Sequence, residues 1–256
     1  MDSPARIDPK DLIEGLGKGL RVIEAFDDDH PRLSPSETAH RTGLTRTAAR
    51  RYLLSLVHFG YAATDGKLFW LLPRVLRLGQ SYLGTARLPR LVQPFIQRVS
   101  MACGETVNVS VLDGHEVIYI ARSNSPRVVS IGYQVGARIP AHVVAPGVVI
   151  LASLRDDALD AWCAEHEFAA LSPHTVTDAT RFRSMVSEAR TLGHWISEQY
   201  LDTGLRGIAV ALKNRHGQCQ GAVGVTLPIQ PLTREQVIDR MLPLLNDVAQ
   251  SLRPLI

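Results

Sequence analysis

Apolar residues recur at helical spacing in three stretches near the start of the chain and at alternate positions farther on. A helical N-terminal part followed by a mixed one is therefore expected. In GLGKGLRVIEAFD, Leu16, Leu20, Ile23 and Phe26 fall on one helical face, and Asp27-Asp28-Asp29 ends the run. Ser34 then offers an N-cap, with Pro35 at the first helical position and Glu37 at the third, a capping box for a short helix that stops at Gly43. Thr45 caps a longer helix to about Phe59, with Ala48, Tyr52 or Leu53, Leu56 and Val57 as its predicted core stripe. Helix, three-residue turn with a glycine, helix is helix-turn-helix spacing. Beyond Gly60, Asp65-Gly66 separates two β-prone runs in YAATDGKLFWLL, and a hairpin directly after such a helix is a wing. Pro73 ends it, and RVLRLGQSYLGTARLPR predicts one more helix with Val75, Leu78, Tyr82 and Leu83 on one side.

From about Leu88 the texture changes. TVNVSVLDGHEVIYIAR alternates on both sides of a second Asp-Gly turn and predicts a hairpin; RVVSIGYQV, GLRGIAVALKN and QCQGAVGVTLPI are further strand candidates. Helical runs lie at about 146–166 and 181–192, and the chain closes with TREQVIDRMLPLLNDVAQSLRPL, capped by Thr233 with Gln236 at the third position. Strands mixed with helices in an order that permits an antiparallel sheet predict an α+β domain. The expected division is a winged helix-turn-helix over 12–73, a linker helix over 74–88 and a second domain over 89–256.

Charge sharpens this division. The whole chain carries a formal charge of only +3, but residues 41 to 90 hold nine Lys or Arg against one acid, Asp65. Such a block beside a balanced remainder suggests a module that meets phosphates, although most charge runs on helices only keep a surface wet. The three cysteines are isolated, so neither a disulfide framework nor a paired metal motif is expected, and the compartment reads as a reducing cytoplasm. MDSPARIDPKDLIEG lacks the apolar core of a signal peptide, and the most apolar run, AHVVAPGVVILASL, is too short to span a bilayer. The nine histidines show no metal-ligand spacing, so no metal or other cofactor is expected. GLGKG follows no strand and lacks GxGxxG spacing, and no GxSxG elbow occurs. No feature points to an enzyme. Dispersed triads leave one alternative open: a small-molecule-binding or enzymatic α+β protein whose basic N-terminal domain meets RNA or a protein.

A pocket for a small molecule has candidates in the first hairpin of the second domain. Asn108 and Ser110 share one strand face, and Tyr119 and Arg122 end the partner strand. If that face looks inward these groups form a pocket wall; if outward, they are solvated side chains.

With these elements placed, the chain resembles the IclR family of bacterial transcriptional regulators from about residue 12 to 254. The matching pieces are GLGKGLRVIEAF, LSPSETAHRTGLTRTAARRYLLSLVHFGYA and DGKLFWLLPRVLRLG. LTRTAARRYLLSL, FWLLPRVLRLGQSYL and LPRLVQP are similar to the branch that controls protocatechuate, 4-hydroxybenzoate, catechol and β-ketoadipate catabolism. The resemblance implies a winged helix-turn-helix joined to a GAF-like α/β effector domain that binds a small organic acid. It also implies a homodimer, often a dimer of dimers, on double-stranded promoter DNA, and no membrane. In that role Thr45, Arg46, Thr47, Arg50 and Arg51 would reach base edges, with Arg51 also free to pair inside the fold. Arg41, Lys67 and Arg74 would meet phosphates.

In IPAHVVAPGVVILA, Pro140, His142 and Gly147 match the family's effector segment, where free amides at a helix start would favour a carboxylate. Val144 and Ala145 replace expected hydroxyls, Pro146 removes an amide donor and Val148 replaces a basic residue; either the effector then differs from the branch's usual acids, or Arg122, Arg138 or His142 supplies the lost charge, with a structural histidine the other reading of His142. HWISEQYLDTGLRGIAVAL resembles the opposite wall, with Trp195, Glu198 and Tyr200 as candidates and Gly204 allowing a turn.

Overall fold

A computed structural model describes residues 7–124 and 133–256, which form two compact units divided between Tyr82 and Leu83. Most of the strand expected in RVVSIGYQV lies outside the described residues.

In the first unit, α1 (Glu14–Glu24), α2 (Pro35–Thr42) and α3 (Arg46–His58) precede a short hairpin, β1 (Ala62–Thr64) and β2 (Phe69–Leu71), and α4 (Leu76–Thr85) runs across the division. The capping box is formed: the Glu37 amide donates to Ser34 Oγ at 3.3 Å and the Ser34 amide to Glu37 Oε2 at 2.7 Å. Gly43 ends α2 in the left-handed conformation, φ 69°, where a side chain would be strained. Thr45 Oγ1 accepts the Ala48 amide at 3.2 Å and starts α3. The turn of the hairpin is closed by Asp65, whose Oδ1 accepts the Lys67 and Leu68 amides at 2.9 and 2.8 Å. Phe69 also bridges to Leu33, so the wing is stitched to the segment before α2.

The core of this unit gathers Val22, Leu53 and Phe69, with Phe26, Leu44, Tyr52, Leu56 and Val57 against them. Two details depart from the expected stripes. On α3 the buried residues are Ala49 and Leu53, with Ala48 half-exposed, so the core-facing line runs one residue later than predicted. On α1 Val22 is buried and Ile23 is half-buried, as is Phe26 just beyond the helix, whereas Leu16 and Leu20 stay 65 % and 43 % exposed. The unit is small, and only the last turn of α1 reaches its core.

In the second unit, β3 (Thr106–Asp113), β4 (Glu116–Ser123), β5 (Arg138–Pro140), β6 (Trp195–Glu198), β7 (Leu205–Lys213) and β8 (Cys219–Pro228) form one antiparallel sheet in the order β5-β4-β3-β8-β7-β6. α5 (Arg87–Cys103) and α9 (Arg234–Leu252) cover one face, packing Val92, Ile96, Met241 and Leu245 on Val107, Val109, Ile208 and Val225. Each such buried side chain stabilises the fold by about 1.5–3 kcal/mol in transfer free energy. α6 (Ala145–Leu151), α7 (Asp156–Glu165) and α8 (Ala179–Leu192) cover the other face.

No helix was expected at α5. Its two prolines disguise it, although Pro89 stands in the first turn, where no amide is needed, and only Pro94 removes an interior hydrogen bond. The helical run expected over 146–166 is the two helices α6 and α7.

Alternation places Asn108 and Ser110 on the sheet face beneath α6. One cross-strand row there reads Asn108, Gly224, Ala209, Trp195; the next reads Thr106, Thr226, Gly207, Ser197. The middle of this floor is therefore nearly free of side chains.

Candidate functional site

Two surfaces carry chemistry. The first is the outer side of α3. Arg46, Thr47, Arg50 and Arg51 are exposed, and none of the three arginines has a side-chain partner among the described residues. With about 100° per residue, Arg51 stands roughly 160° around the helix from both Ala49 and Leu53, at the centre of the free face. Arg51 is therefore not spent within the fold. Lys67, at the tip of the wing, is likewise exposed and unpaired among the described residues.

Two other basic residues expected at phosphates are engaged inside the unit. The Arg41 guanidinium donates to the Ala25 carbonyl at 2.8 Å, meets His30 Nδ1 at 3.0 Å and pairs with Asp27, tying α2 to the end of α1. Arg74 Nη1 donates to the Phe59 carbonyl at 2.6 Å, and its guanidinium lies 5.9 Å from the centre of the Tyr61 ring. Both arginines satisfy carbonyls near helix ends, a use that charge counting cannot separate from phosphate contact.

The second surface is a cavity in the C-terminal unit between the sheet floor and the residues leading into α6. About 50 Å³ of it is open to the centre of a water molecule. Val143, Val144, Ala145 and Pro146 form one wall, and Asn108, Tyr119, Tyr133 and Ser197 contribute polar groups. Gln199, Tyr200, Leu201 and Asp202 close one side. That segment is strapped down: Ser172 Oγ donates to the Gln199 carbonyl and Thr175 Oγ1 to the Tyr200 carbonyl, both at 2.5 Å. Gln199 has a positive φ of 61°, which costs of order 1 kcal/mol for a residue other than glycine and aims the next three residues at the cavity.

Asn108 is 3 % exposed, and neither its Oδ1 nor its Nδ2 has a hydrogen-bond partner among the described residues. A buried amide without partners costs about 1–3 kcal/mol, so its presence on a cavity wall points to something it binds. Burial pushes the Tyr119 phenol well above its ordinary range; burial and then the nearby Asp202 carboxylate push up Tyr133, and burial is the main cause that raises Tyr200. All three phenols therefore stay protonated at neutral pH.

Comparison with known proteins fixes what such a pair of units belongs to. Residues 15–66 match the IclR helix-turn-helix domain, and residues 80–253 match the C-terminal domain of bacterial IclR transcriptional regulators. This chain belongs to the IclR family. The regulator is 38 % identical to the p-hydroxybenzoate hydroxylase transcriptional activator of Acinetobacter baylyi over 99 % of this chain and 96 % of that one. A putative transcriptional regulator from Rhodococcus superposes with a TM-score of 0.80 at 35 % identity, covering 94 % and 97 % of the two chains. The inducer-binding domain of an Acinetobacter PobR double mutant, in complex with 3-hydroxybenzoic acid, superposes with a TM-score of 0.63 at 31 % identity, covering 67 % and 100 %.

The regulator's cavity departs from the expectations that its family resemblance raised. The amide cradle at the start of α6 is not free: the Ala145 amide donates to Ser197 Oγ at 3.1 Å, and Pro146 has no amide. Gly147 does not line the cavity. A Cβ there would lie 2.0 Å from the Ala141 carbonyl oxygen, so glycine is needed for α6 to pack on the preceding turn.

His142 is fully buried and also off the cavity. Its Nε2 meets the Ala169 carbonyl at 3.1 Å and its Nδ1 meets His166 Nε2 at 2.8 Å, which is the structural reading. It sits in a ring cluster with Trp162, Phe168 and Phe182, and His115 stacks on His166 at 5.2 Å. Burial lowers His142; burial, then His142 and His115, push His166 down to about 4. Among the described residues no group of three or more His, Cys, Asp or Glu side chains is placed to hold a metal ion.

Arg122 and Arg138 supply no charge to the cavity either. The Arg122 guanidinium reaches Asn124 Oδ1 at 2.6 Å and the Tyr133 carbonyl, and Arg138 bridges Glu116 and Asp113 at 2.7 and 2.9 Å across the hairpin. Glu198 does not line the cavity; it pairs with Arg234 at 3.1 Å and at 2.5 Å with Arg206, a buried arginine that does line it. Trp195 and Ser110 are buried beside the floor with polar atoms unpartnered among the described residues, but do not line the cavity.

Of the ten effector candidates the structure brings together Asn108, Tyr119 and Tyr200. Sequence reading passed over Ser197, Gln199, Asp202 and Tyr133, which also line the cavity. Ser197 could have been found: it is the small polar residue that alternates with Ile196 and Glu198 in WISE. Gln199 owes its place to a backbone conformation that its residue type does not announce.

Proposed function

We propose that this IclR-family regulator binds promoter DNA as a homodimer, pairing further into a dimer of dimers, in the cytoplasm. Its occupancy changes when a hydroxylated one-ring aromatic acid, or a ring-cleavage product of one, enters the cavity beneath α6. The genes it controls then degrade such compounds. The observation that carries this reading is Asn108, a buried amide with no partner among the described residues, on the wall of a mostly apolar cavity. The relative that activates p-hydroxybenzoate hydroxylase synthesis and the neighbour crystallised with 3-hydroxybenzoic acid support the ligand class.

DNA contact falls to Thr45, Arg46, Thr47, Arg50 and Arg51 at base edges and to Lys67 at the backbone. The three unpaired arginines and the wing lysine support this, since they offer donors that no described residue of the fold consumes. Leu16 and Leu20 on α1, with Leu76 and Tyr82 on α4, leave apolar surface for a second copy to cover.

The test is fluorescence anisotropy of a duplex from upstream of the regulated operon. It is titrated with the full-length protein in the presence and absence of 4-hydroxybenzoate, protocatechuate, catechol, muconate and β-ketoadipate. Sequence-specific binding that shifts with one of these compounds is the expected result. Equal affinity for an unrelated duplex, with no compound effective, would overturn it.

A further inference from the structure

We infer that Asn108 is the residue by which this regulator recognises a ring hydroxyl, and that the effector must present that hydroxyl at the sheet floor; the inference rests on the cavity being the effector site. An amide side chain offers one acceptor and two donor hydrogens. Both ends of the Asn108 amide are unpartnered among the described residues and 3 % exposure denies them solvent, so a satisfying ligand group must donate and accept at the same point. A hydroxyl does so. A carboxylate only accepts, and would leave Oδ1 facing an anion.

Among the polar groups that line the cavity, Asn108 is the one whose side-chain donor and acceptor are both buried without a partner among the described residues. Its neighbours across the sheet are Gly224 and then Ala209, so no side chain intervenes along the floor. The opposing wall has little to offer in competition, because Val143 and Val144 are apolar, Pro146 has no amide and the Ala145 amide is already given to Ser197 Oγ. Neither floor residue that frames the space is easily enlarged. A Cβ on Gly224 would lie 2.8 Å from the Ile208 carbonyl oxygen, and one on Gly207 3.3 Å from Ser197 Oγ.

The test compares matched ligands differing by one hydroxyl, 4-hydroxybenzoate and 3-hydroxybenzoate against benzoate, by calorimetric titration of the full-length protein. Wild type is expected to prefer a hydroxylated ring over benzoate by at least about tenfold, roughly the worth of one net hydrogen bond plus the relief of a buried orphan. Asn108→Leu and Asn108→Ala are expected to bring that ratio to within about threefold of unity, chiefly by weakening the hydroxylated ligand. Thermal unfolding without ligand separates recognition from structure: Asn108→Leu, which fills the same space without polar atoms, is expected to melt at or above the wild-type temperature. Should the leucine variant misfold, the alanine variant alone decides. An unchanged ratio in variants that bind these rings would overturn the role of Asn108 and leave the effector site standing. Failure of wild type to bind any hydroxylated ring would overturn both.

Discussion

Gly147→Ala is the smallest substitution that probes how α6 is seated. The added Cβ would stand 2.0 Å from the Ala141 carbonyl oxygen, 2.6 Å from its carbon and 2.7 Å from its Cα. An ordinary carbon–oxygen approach is about 3.3 Å, so the turn at Ala141–Val143 and α6 must separate by more than about 1 Å. Neither can yield cheaply. His142 is held at both ring nitrogens, and every residue of α6 is buried. Overpacking of this kind costs about 1–3 kcal/mol and sometimes more, against about 1 kcal/mol gained in helix propensity. Because the clash is with backbone, the upper part of that range applies, leaving a net loss of about 2 kcal/mol, or a fall in Tm of roughly 4–8 °C for a domain of this size. Urea and thermal unfolding followed by the fluorescence of Trp162 and Trp195 measure it. The same change at Gly79, a helical glycine with nothing within 4 Å, should be neutral or stabilising by up to about 1 kcal/mol, followed by circular dichroism. A Gly147→Ala protein as stable as wild type would refute the close seating of α6.

Acid should weaken the C-terminal unit through its histidines. His166 is held down to about 4 from an ordinary 6.5, so the unfolded chain binds a proton between those values that the folded one refuses. Stability is then full above pH 6.5 and falls as pH drops toward 4, by roughly 1–3 kcal/mol after allowance for screening. The urea midpoint of His166→Gln should be flatter over that window. Arg46→Ala, Arg50→Ala and Arg51→Ala should each weaken specific duplex binding about tenfold with unchanged unfolding, whereas Lys67→Ala, which removes a phosphate contact, should reduce the salt slope by about 0.9, read by anisotropy at several salt concentrations. Arg41→Ala should instead lower the melting temperature of the N-terminal unit, because it removes the bonds to Ala25, Asp27 and His30. A melting curve like that of wild type would return Arg41 to the DNA-binding set.

Helices bounded by side-chain caps were legible in the sequence: Ser34 with Glu37, Thr45, and Thr233 with Gln236 each do what their spacing announces. The wing and the β3–β4 hairpin were legible from their Asp-Gly turns. What stayed hidden depends on the third dimension. The face of Asn108 was known, but that it looks inward follows from α6 crossing above it, and α6 can cross only where Gly147 meets Ala141. The engaged state of Arg41 turns on the Ala25 carbonyl at the end of another helix, and the unpaired state of Arg51 on its place opposite the buried line of α3. Residues Gln199 to Asp202 reach the cavity through a left-handed backbone and two hydroxyl straps, from a stretch with no hydrophobic period.

The bare floor of the sheet has a consequence for how such a cavity can diversify. A Cβ on Gly224 would meet the Ile208 carbonyl, so bulk cannot be added there without parting the strands, and one on Gly207 would press on the Ser197 hydroxyl. The opposite wall, Val143 to Pro146, is made of side chains. Lineages that change effector should therefore rewrite the ceiling and keep the floor, and new specificities are best sought by randomising Val143, Val144 and Ala145 over an untouched sheet.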